Sequence, residues 1–331
     1  MKKRWIFSVV CVCFLAILIS IAVRFPKEDH RPKVVVVSKE EKTEYWKAFK
    51  SGAEKAFNEL GIDGKVIVPD FSRSITKQDD TLQKILKQYP DALVVAPTQA
   101  QSSYLIPILM EYKRQNIPVL LADTDIEWED KTSFIGVDNF ILGKKAGALL
   151  ASMLQPGDQV ALIHGTLSGA VSRDRIKGVK ESLEKAGIQV AVQQQGYDES
   201  WNRKSVMGNI LQSYPDIKGV FATDDLLALD ALQIIEQKGL KIPVIGTDGT
   251  TKMMKYIEEG KLSATIAQNP YDMGYISVEQ ALRAIKGKGV IKWNDSGIDI
   301  ITQDNARDRL KFQEKLLHIG EGDFKSFLSK L

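Results

Sequence analysis

From residue 34 onward the chain alternates short β-branched runs with longer stretches in which apolar residues recur at helical spacing. Runs such as 34–37 and 92–96 contain no polar position. A strand of that kind has both faces covered, which is the habit of parallel sheets flanked by helices. The pattern predicts strands at 34–37, 66–68, 92–96, 118–122, 134–137, 160–164, 190–192, 219–222, 244–246, 264–267 and 298–301. Helical stretches lie between nearly all of them. In one, Leu226, Leu227, Leu229, Ala231, Leu232, Ile234 and Ile235 favour a single face and Gly239 ends the run. The expectation is an α/β protein with doubly wound parallel sheets.

The pattern also repeats. Tyr89-Pro90-Asp91, a strand, a helix, then Ile117-Pro118-Val119 and Asp123 recurs as Tyr214-Pro215-Asp216, a strand, a helix, then Ile242-Pro243-Val244 and Asp248. The matched prolines and aspartates are 125 positions apart. Two similar lobes follow, each with an aspartate just past an equivalent strand. Ligands of open α/β sheets bind outside the carboxyl ends of the strands, so Asp123 and Asp248 are placed to line one cleft from opposite sides. The competing reading is duplicated turn chemistry, in which each aspartate closes a strand and caps the next helix.

The two ends differ from the body. Behind Met1-Lys2-Lys3-Arg4, residues 5–23 are 19 uncharged, mostly apolar positions. As a helix they span about 29 Å, roughly one hydrocarbon core. The run exceeds the apolar core of most signal peptides, although Ser20-Ile21-Ala22 offers a small-x-small cleavage site. A retained single-pass anchor is the favoured reading, with the body on the extracytoplasmic side, and a cleaved signal peptide the alternative. At the other end, residues 307–331 carry Leu310, Phe312, Leu316, Leu317, Phe324, Phe327 and Leu328 among basic residues, an amphipathic extension expected to pack on its own lobe.

Composition sharpens this picture. Lys plus Arg number 45 and Asp plus Glu 42, with 44% hydrophobic and 26% charged residues, an ordinary globular balance. Residues 1–33 hold seven basic and two acidic side chains, so the leader contributes +5 of the net +3 and the body carries −2. A near-neutral body argues against a nucleic-acid partner. Both cysteines, Cys11 and Cys13, lie in the leader, so the body has no disulfide framework and no thiolate metal site.

Catalytic chemistry is sparse. Of three histidines, His30 is in the linker, leaving His164 and His318 with no His-x-x-x-His pair. No Gly-x-Ser-x-Gly elbow and no phosphate-binding glycine loop occurs, so neither a cofactor nor a metal is expected, and a binding protein is favoured over an enzyme. The strand ends carry hydrogen-bonding groups and rings instead: Tyr45 and Trp46 opening the first helix, Asp123 and Thr124, Arg173, Asp198 and Trp201, Asp224, Asp248 and Gln268. A polyhydroxylated ligand needs that mixture, because carboxylates and amides engage hydroxyls while flat rings cover C–H faces. Taken singly, each is explained by a helix cap, a salt bridge or a core aromatic.

From Lys33 to about Asp304 the chain resembles periplasmic sugar-binding proteins of the ribose-binding type, which share their fold with the ligand-binding cores of Lac-repressor-type regulators. The resemblance rests on Ser51-Gly52-Ala53, Asn116-Ile117-Pro118-Val119, Val137-Asp138-Asn139 with Gly143 and Ala146-Gly147, and Arg173-Asp174-Arg175 with Gly178. It continues through Ala222-Thr223-Asp224-Asp225, Ile245-Gly246-Thr247-Asp248-Gly249 and Ala264-Thr265-Ile266-Ala267-Gln268. It implies a type I periplasmic binding protein fold with three crossings at the hinge. Lobe one is then 34–137 plus 269–297, and lobe two 138–268 plus 298–306.

For the site, the resemblance implies an aromatic wall from Tyr45 and Trp46, hydroxyl acceptance by Asp123, donation by Arg173, and contacts from Asp224, Asp248 and Gln268. Thr124 stands where ribose binders carry Arg, Asp198 falls near an expected Phe, Thr247 replaces another Phe, and Asp224 stands for Asn. The resemblance further implies a receptor closing over a monosaccharide, a pentose or hexose, with an ABC transporter permease or a sensor histidine kinase as partner. An enzyme acting on a sugar, or a receptor for a furanosyl signalling molecule, remains the alternative.

Overall fold

The computed structural model describes residues 31–69, 77–98, 105–126, 128–165, 167, 169–196 and 203–319. In chain order the first half runs β1 (Lys33–Val37), α1 (Glu44–Leu60), β2 (Asp63–Ile67), α2 (Lys77–Leu86), β3 (Ala92–Val95), α3 (Leu105–Arg114), β4 (Val119–Ala122), β5 (Ser133–Gly136) and α4 (Asn139–Ala151). It continues β6 (Gln159–His164), α5 (Ala170–Lys185), β7 (Gln189–Gln195), α6 (Arg203–Ser213), β8 (Ile217–Ala222), α7 (Asp225–Gln237), β9 (Val244–Asp248) and α8 (Thr251–Glu258). The chain ends with β10 (Ala264–Gln268), α9 (Pro270–Ile285), β11 (Trp293–Asp295), β12 (Ile298–Thr302) and α10 (Ala306–Ile319).

These strands form two six-stranded sheets, ordered β11-β5-β4-β3-β1-β2 and β12-β10-β9-β8-β6-β7. The repeat read from the sequence is therefore a repeat of topology, since 2-1-3-4-5 in one sheet matches 7-6-8-9-10 in the other. Every pairing is parallel except β10 with β12, which is antiparallel. Each of the eleven expected strands coincides with an observed one. β11 was not expected; it has only Asn294 buried and forms by pairing with Phe134–Gly136 of β5.

The central strands are buried along nearly their whole length, as their unbroken apolar runs require. In lobe one Val34 and Val36 face a cluster with Phe49, Ala53 and Met273, while Val35 and Val37 face Leu82, Leu109 and Tyr112. Lobe two likewise has a cluster on each sheet face. Close helix crossings complete each lobe. A Cβ on Gly52 of α1 would lie 1.9 Å from the Tyr271 carbonyl oxygen of α9, and one on Gly178 of α5 would lie 2.1 Å from that of Phe140 in α4. Those approaches exclude any side chain.

α9 lies on α1 in lobe one although it follows a lobe-two strand, β11 joins the first sheet, and β12 returns to the second. α10 buries Ala306 and Leu310 in lobe two, with Arg307–Glu258, Arg309–Asp299 and Lys255–Glu314 ion pairs at 2.8, 2.8 and 3.4 Å. Among the described residues no helix is long and apolar enough to cross a membrane, and the 5–23 segment lies outside them.

Candidate functional site

The residues at the carboxyl ends of the two sheets meet where the lobes face each other. The two repeat-related aspartates share an unusual backbone: Asp123 has φ 63° and Asp248 φ 119°. Non-glycine residues rarely adopt that region, and such strain persists where surrounding structure and function require it. Neither aspartate caps a helix. The cap of α8 is Thr250, whose hydroxyl accepts from Met253 N–H at 3.4 Å. No helix begins at Asp123. The duplicated-turn reading therefore leaves their side chains unexplained.

Those side chains lie in polar clusters that face each other where the lobes meet. Asp123 Oδ1 accepts from the Tyr45 hydroxyl at 2.8 Å, and that hydroxyl is 3.4 Å from Gln268 Oε1. Gln268, at the end of β10 where the chain passes to lobe one, donates through Nε2 to Asp248 Oδ1 at 2.8 Å. Arg175 Nη1 lies 3.6 Å from that same oxygen. Beside Asp123 lies Lys39, which donates to Asp123 Oδ2 at 2.5 Å and to Thr124 Oγ1 at 2.6 Å. A separate contact joins the lobes where Glu44 Oε2 accepts from the Thr251 N–H at 2.8 Å, at the N-terminus of α8.

The carboxyls are tuned in opposite directions. Burial raises Asp123, but the charge and hydrogen bond of Lys39, with the hydrogen bonds of Tyr45 and Thr124, outweigh it and leave the carboxyl below its ordinary value. Burial pushes Asp248 up to about 7; Arg175 and Gln268 oppose the rise, while Asp224 and Asp123 add to it. Asp225, fully buried beneath the cleft, is raised by burial and by Asp248, although it accepts from Thr250 N–H at 2.7 Å and Thr265 Oγ1 at 3.0 Å. Burial and Asp123 raise Tyr45 well above its ordinary value, so it stays a neutral donor.

The structure brings together Tyr45, Asp123, Thr124, Asp248 and Gln268 from the sequence candidates. Trp46 turns inward: it packs edge-on against Tyr45 and Phe49 at centroid distances of 5.2 and 5.4 Å, with Lys39 Nζ 5.4 Å from its ring centre. Arg173 is exposed at the start of α5, with Nε 3.2 Å from Asp174 Oδ1. Asp224 caps α7, accepting from Leu227 N–H at 2.9 Å. Asp198 and Trp201 lie outside the described residues. The ring nitrogens of His164 face the Gly165 carbonyl at 2.6 Å and the Gln193 amide at 3.3 Å.

Sequence reasoning missed Lys39 and Arg175. Arg175 is buried and wired by Nε to Asn139 Oδ1 at 2.9 Å and by Nη1 to Thr223 O and Thr247 Oγ1, each at 2.6 Å. A signal for it existed. On α5, Arg173, Lys177, Lys180 and Glu184 form the exposed stripe, whereas Arg175 shares the buried stripe with Val179 and Leu183. Two residues along a helix is a turn of about 200°, so Arg173 and Arg175 face opposite ways.

Comparison with known proteins agrees with this architecture. The periplasmic binding protein domain family matches residues 34–289. A ribose import binding protein of Bacillus subtilis is 32% identical over 259 residues, 78% of this chain and 83% of that protein. A D-allose-binding periplasmic protein of Escherichia coli is 26% identical over 269 residues, 77% of this chain and 85% of the other. The crystal structure of a glucose-galactose binding protein from Geobacillus stearothermophilus superposes with a TM-score of 0.76 at 26% identity, covering 84% of this chain and 99% of that one. With that match over most of its length and two lobes of the same topology meeting at a polar cleft, the chain belongs to the periplasmic binding protein family and has its type I fold.

Proposed function

We propose that this protein is an extracytoplasmic receptor that closes its lobes over a neutral monosaccharide, a pentose or hexose, and delivers it to an ABC transporter. The observation that carries the reading is the convergence of Lys39, Asp123 and Tyr45 from lobe one on Gln268, Asp248 and Arg175, with the Tyr45 hydroxyl and Gln268 Oε1 3.4 Å apart where the two groups meet. Each sugar hydroxyl is both donor and acceptor, and these residues combine two carboxyls with ammonium, amide, phenol and guanidinium groups. A ligand bonded to both lobes favours closure by its differential affinity for the closed form. Arg173 and Asp224 are further contacts from lobe two in this reading. The names of the relatives, for ribose, D-allose and glucose-galactose, support the ligand class.

In this reading residues 5–23 tether the receptor to the membrane. A second reading, presentation of the closed form to a sensor histidine kinase, is favoured by one feature, the long apolar run that would keep the receptor at the surface. Isothermal titration of the full-length protein with D-ribose, D-allose, D-glucose and D-galactose tests the first reading. Binding of at least one sugar without added metal or nucleotide is expected. A phosphorylated compound as the sole binder, or an obligatory cation, contradicts it.

A further inference from the structure

α10 follows the part of the chain that resembles the sugar-binding proteins, and its sequence predicts packing on one lobe only. It touches both. Ala306 and Leu310 sink into a lobe-two cluster, and the Arg307–Glu258 and Lys255–Glu314 pairs at 2.8 and 3.4 Å fix its direction. Position rises from 307 to 314 on α10 as it falls from 258 to 255 on α8, so the two helices run antiparallel. The C-terminal end of α10 therefore advances toward Thr251 at the start of α8, whose N–H is accepted by Glu44 at the start of α1. That course brings α10 against α1 of lobe one.

A second stripe of the helix faces the boundary between the lobes. Arg309 and Leu316 are seven residues apart, nearly two turns, and share a stripe about 100° round from Leu310. Leu316 is buried. Arg309 Nη2 lies 2.8 Å from Asp299 Oδ2, just past the crossing from β11 into β12 of lobe two. Its charge also reaches Asp272, at the start of α9 where the chain has crossed into lobe one. Burial raises that carboxyl, the Asn269 hydrogen bond and the Arg309 charge oppose the rise, and Asp299 adds to it. One guanidinium thus serves a carboxyl from each lobe, beside two of the crossings.

We propose that α10 is a strap seated in lobe two that holds lobe one through α1 and Asp272, favouring lobes as close as they are here, with Arg309 and Leu316 as its positioning residues. A helix fixed to lobe two parts from α1 when the lobes rotate open, so its lobe-one contacts stabilise only the closer arrangement. Apparent affinity falls with the fraction of molecules that are competent to bind. The effect on affinity rests on the sugar-receptor reading; the effect on lobe spacing does not.

The test uses the full-length protein carrying Cys11→Ser and Cys13→Ser, with spin labels on Lys42→Cys and Lys180→Cys, exposed positions of lobes one and two. Arg309→Glu and Leu316→Ala are compared with Lys311→Met, an exposed control on the same helix. Without sugar, both strap variants should show longer label distances than the control. D-ribose and D-allose should bind them about three- to tenfold more weakly, the factor by which the competent fraction falls, and saturating sugar should restore the wild-type distance. A residue that served only the fold would lower the melting temperature without moving the label distance. Unchanged distance and affinity in the folded variants overturn the strap, and so do shorter distances with tighter binding. If the wild type binds neither sugar, the receptor reading falls and the label distance alone decides the strap.

Discussion

Asp123 and Asp248 hold equivalent places in the two lobes, each one step past the fourth strand of its repeat or at its last residue, each in positive-φ backbone. Their surroundings differ. Asp123 has a lysine, a tyrosine and a threonine donating to it, and these keep it ionised against burial. Asp248 has one amide donor, a guanidinium 3.6 Å away, and two further acids that disfavour its charge, and it is pushed up to about 7. The repeat therefore fixes where a carboxyl stands, while side chains that do not repeat fix its charge. In the proposed receptor, a site built this way would read hydroxyls unequally from its two sides.

The largest effect should come from the cation on the lobe-two side. Arg175→Met takes the guanidinium away from Asp248, leaves Asn139 Oδ1 and Thr247 Oγ1 without the N–H they accept, and leaves Thr223 O with the Thr247 hydroxyl alone and Asp248 with the Gln268 amide alone. Breaking a buried pair from one side costs about 3–5 kcal/mol. Urea unfolding should show a loss of that order, and a loss below about 1 kcal/mol would show that the guanidinium does not organise this lobe. Arg173→Met, on the exposed stripe, should leave stability nearly unchanged in the same measurement.

The charge difference between the lobes gives a smaller effect with a defined sign. Asp248 rises from an ordinary value of 3.8 to about 7 on folding, so the folded state holds a proton that the unfolded chain has lost. Its contribution to stability is complete below about pH 4 and disappears as pH rises through 7. Asp225 is raised too and adds to the same slope. Between pH 5 and 8 the wild type should lose at least about 1 kcal/mol relative to Asp248→Asn, the worth of less than one pKa unit. Equal urea midpoints for the two proteins across that range would remove the asymmetry. Asp123→Asn should show no such flattening, because its titration lies at the acid end.

The smallest effect concerns the contact between lobes. Thr251 is the first residue of α8, where proline is tolerated, so Thr251→Pro deletes the N–H that Glu44 accepts while the helix keeps its start. The contact is partly buried and still screened by solvent, so it is worth about 0.4–1 kcal/mol and sugar affinity should fall about two- to fivefold. Glu44→Gln should match it, and the double variant should fall no further. Additive losses would show that the two groups act separately.

Much of this was legible in the sequence. Strands buried on both faces declare themselves by unbroken runs such as Ala92–Val95, and the aspartate pair was exposed by the 125-residue offset. β11 was hidden because Trp293, Asn294 and Asp295 have no apolar run and are a strand only through β5. Lys39 was hidden because it is one of four charged residues among five, and only the approach of Asp123, 84 positions away, distinguishes it from Lys42. Arg175 was obscured by Arg173, although helical phase separates them. Local pattern reports burial well; it does not report which distant charge comes to meet a given side chain.

The central claim is that the two repeat-related carboxyls form one sugar-binding site. Its most direct test is to measure sugar affinity and melting temperature together for Asp123→Ala and Asp248→Ala. A charge-assisted hydrogen bond contributes on the order of 1.5–3 kcal/mol, so each variant should bind tenfold to a hundredfold or more weakly than wild type. Lowered melting temperature with unchanged affinity in both variants would contradict the account, because the duplicated aspartates would then serve the fold and not the ligand.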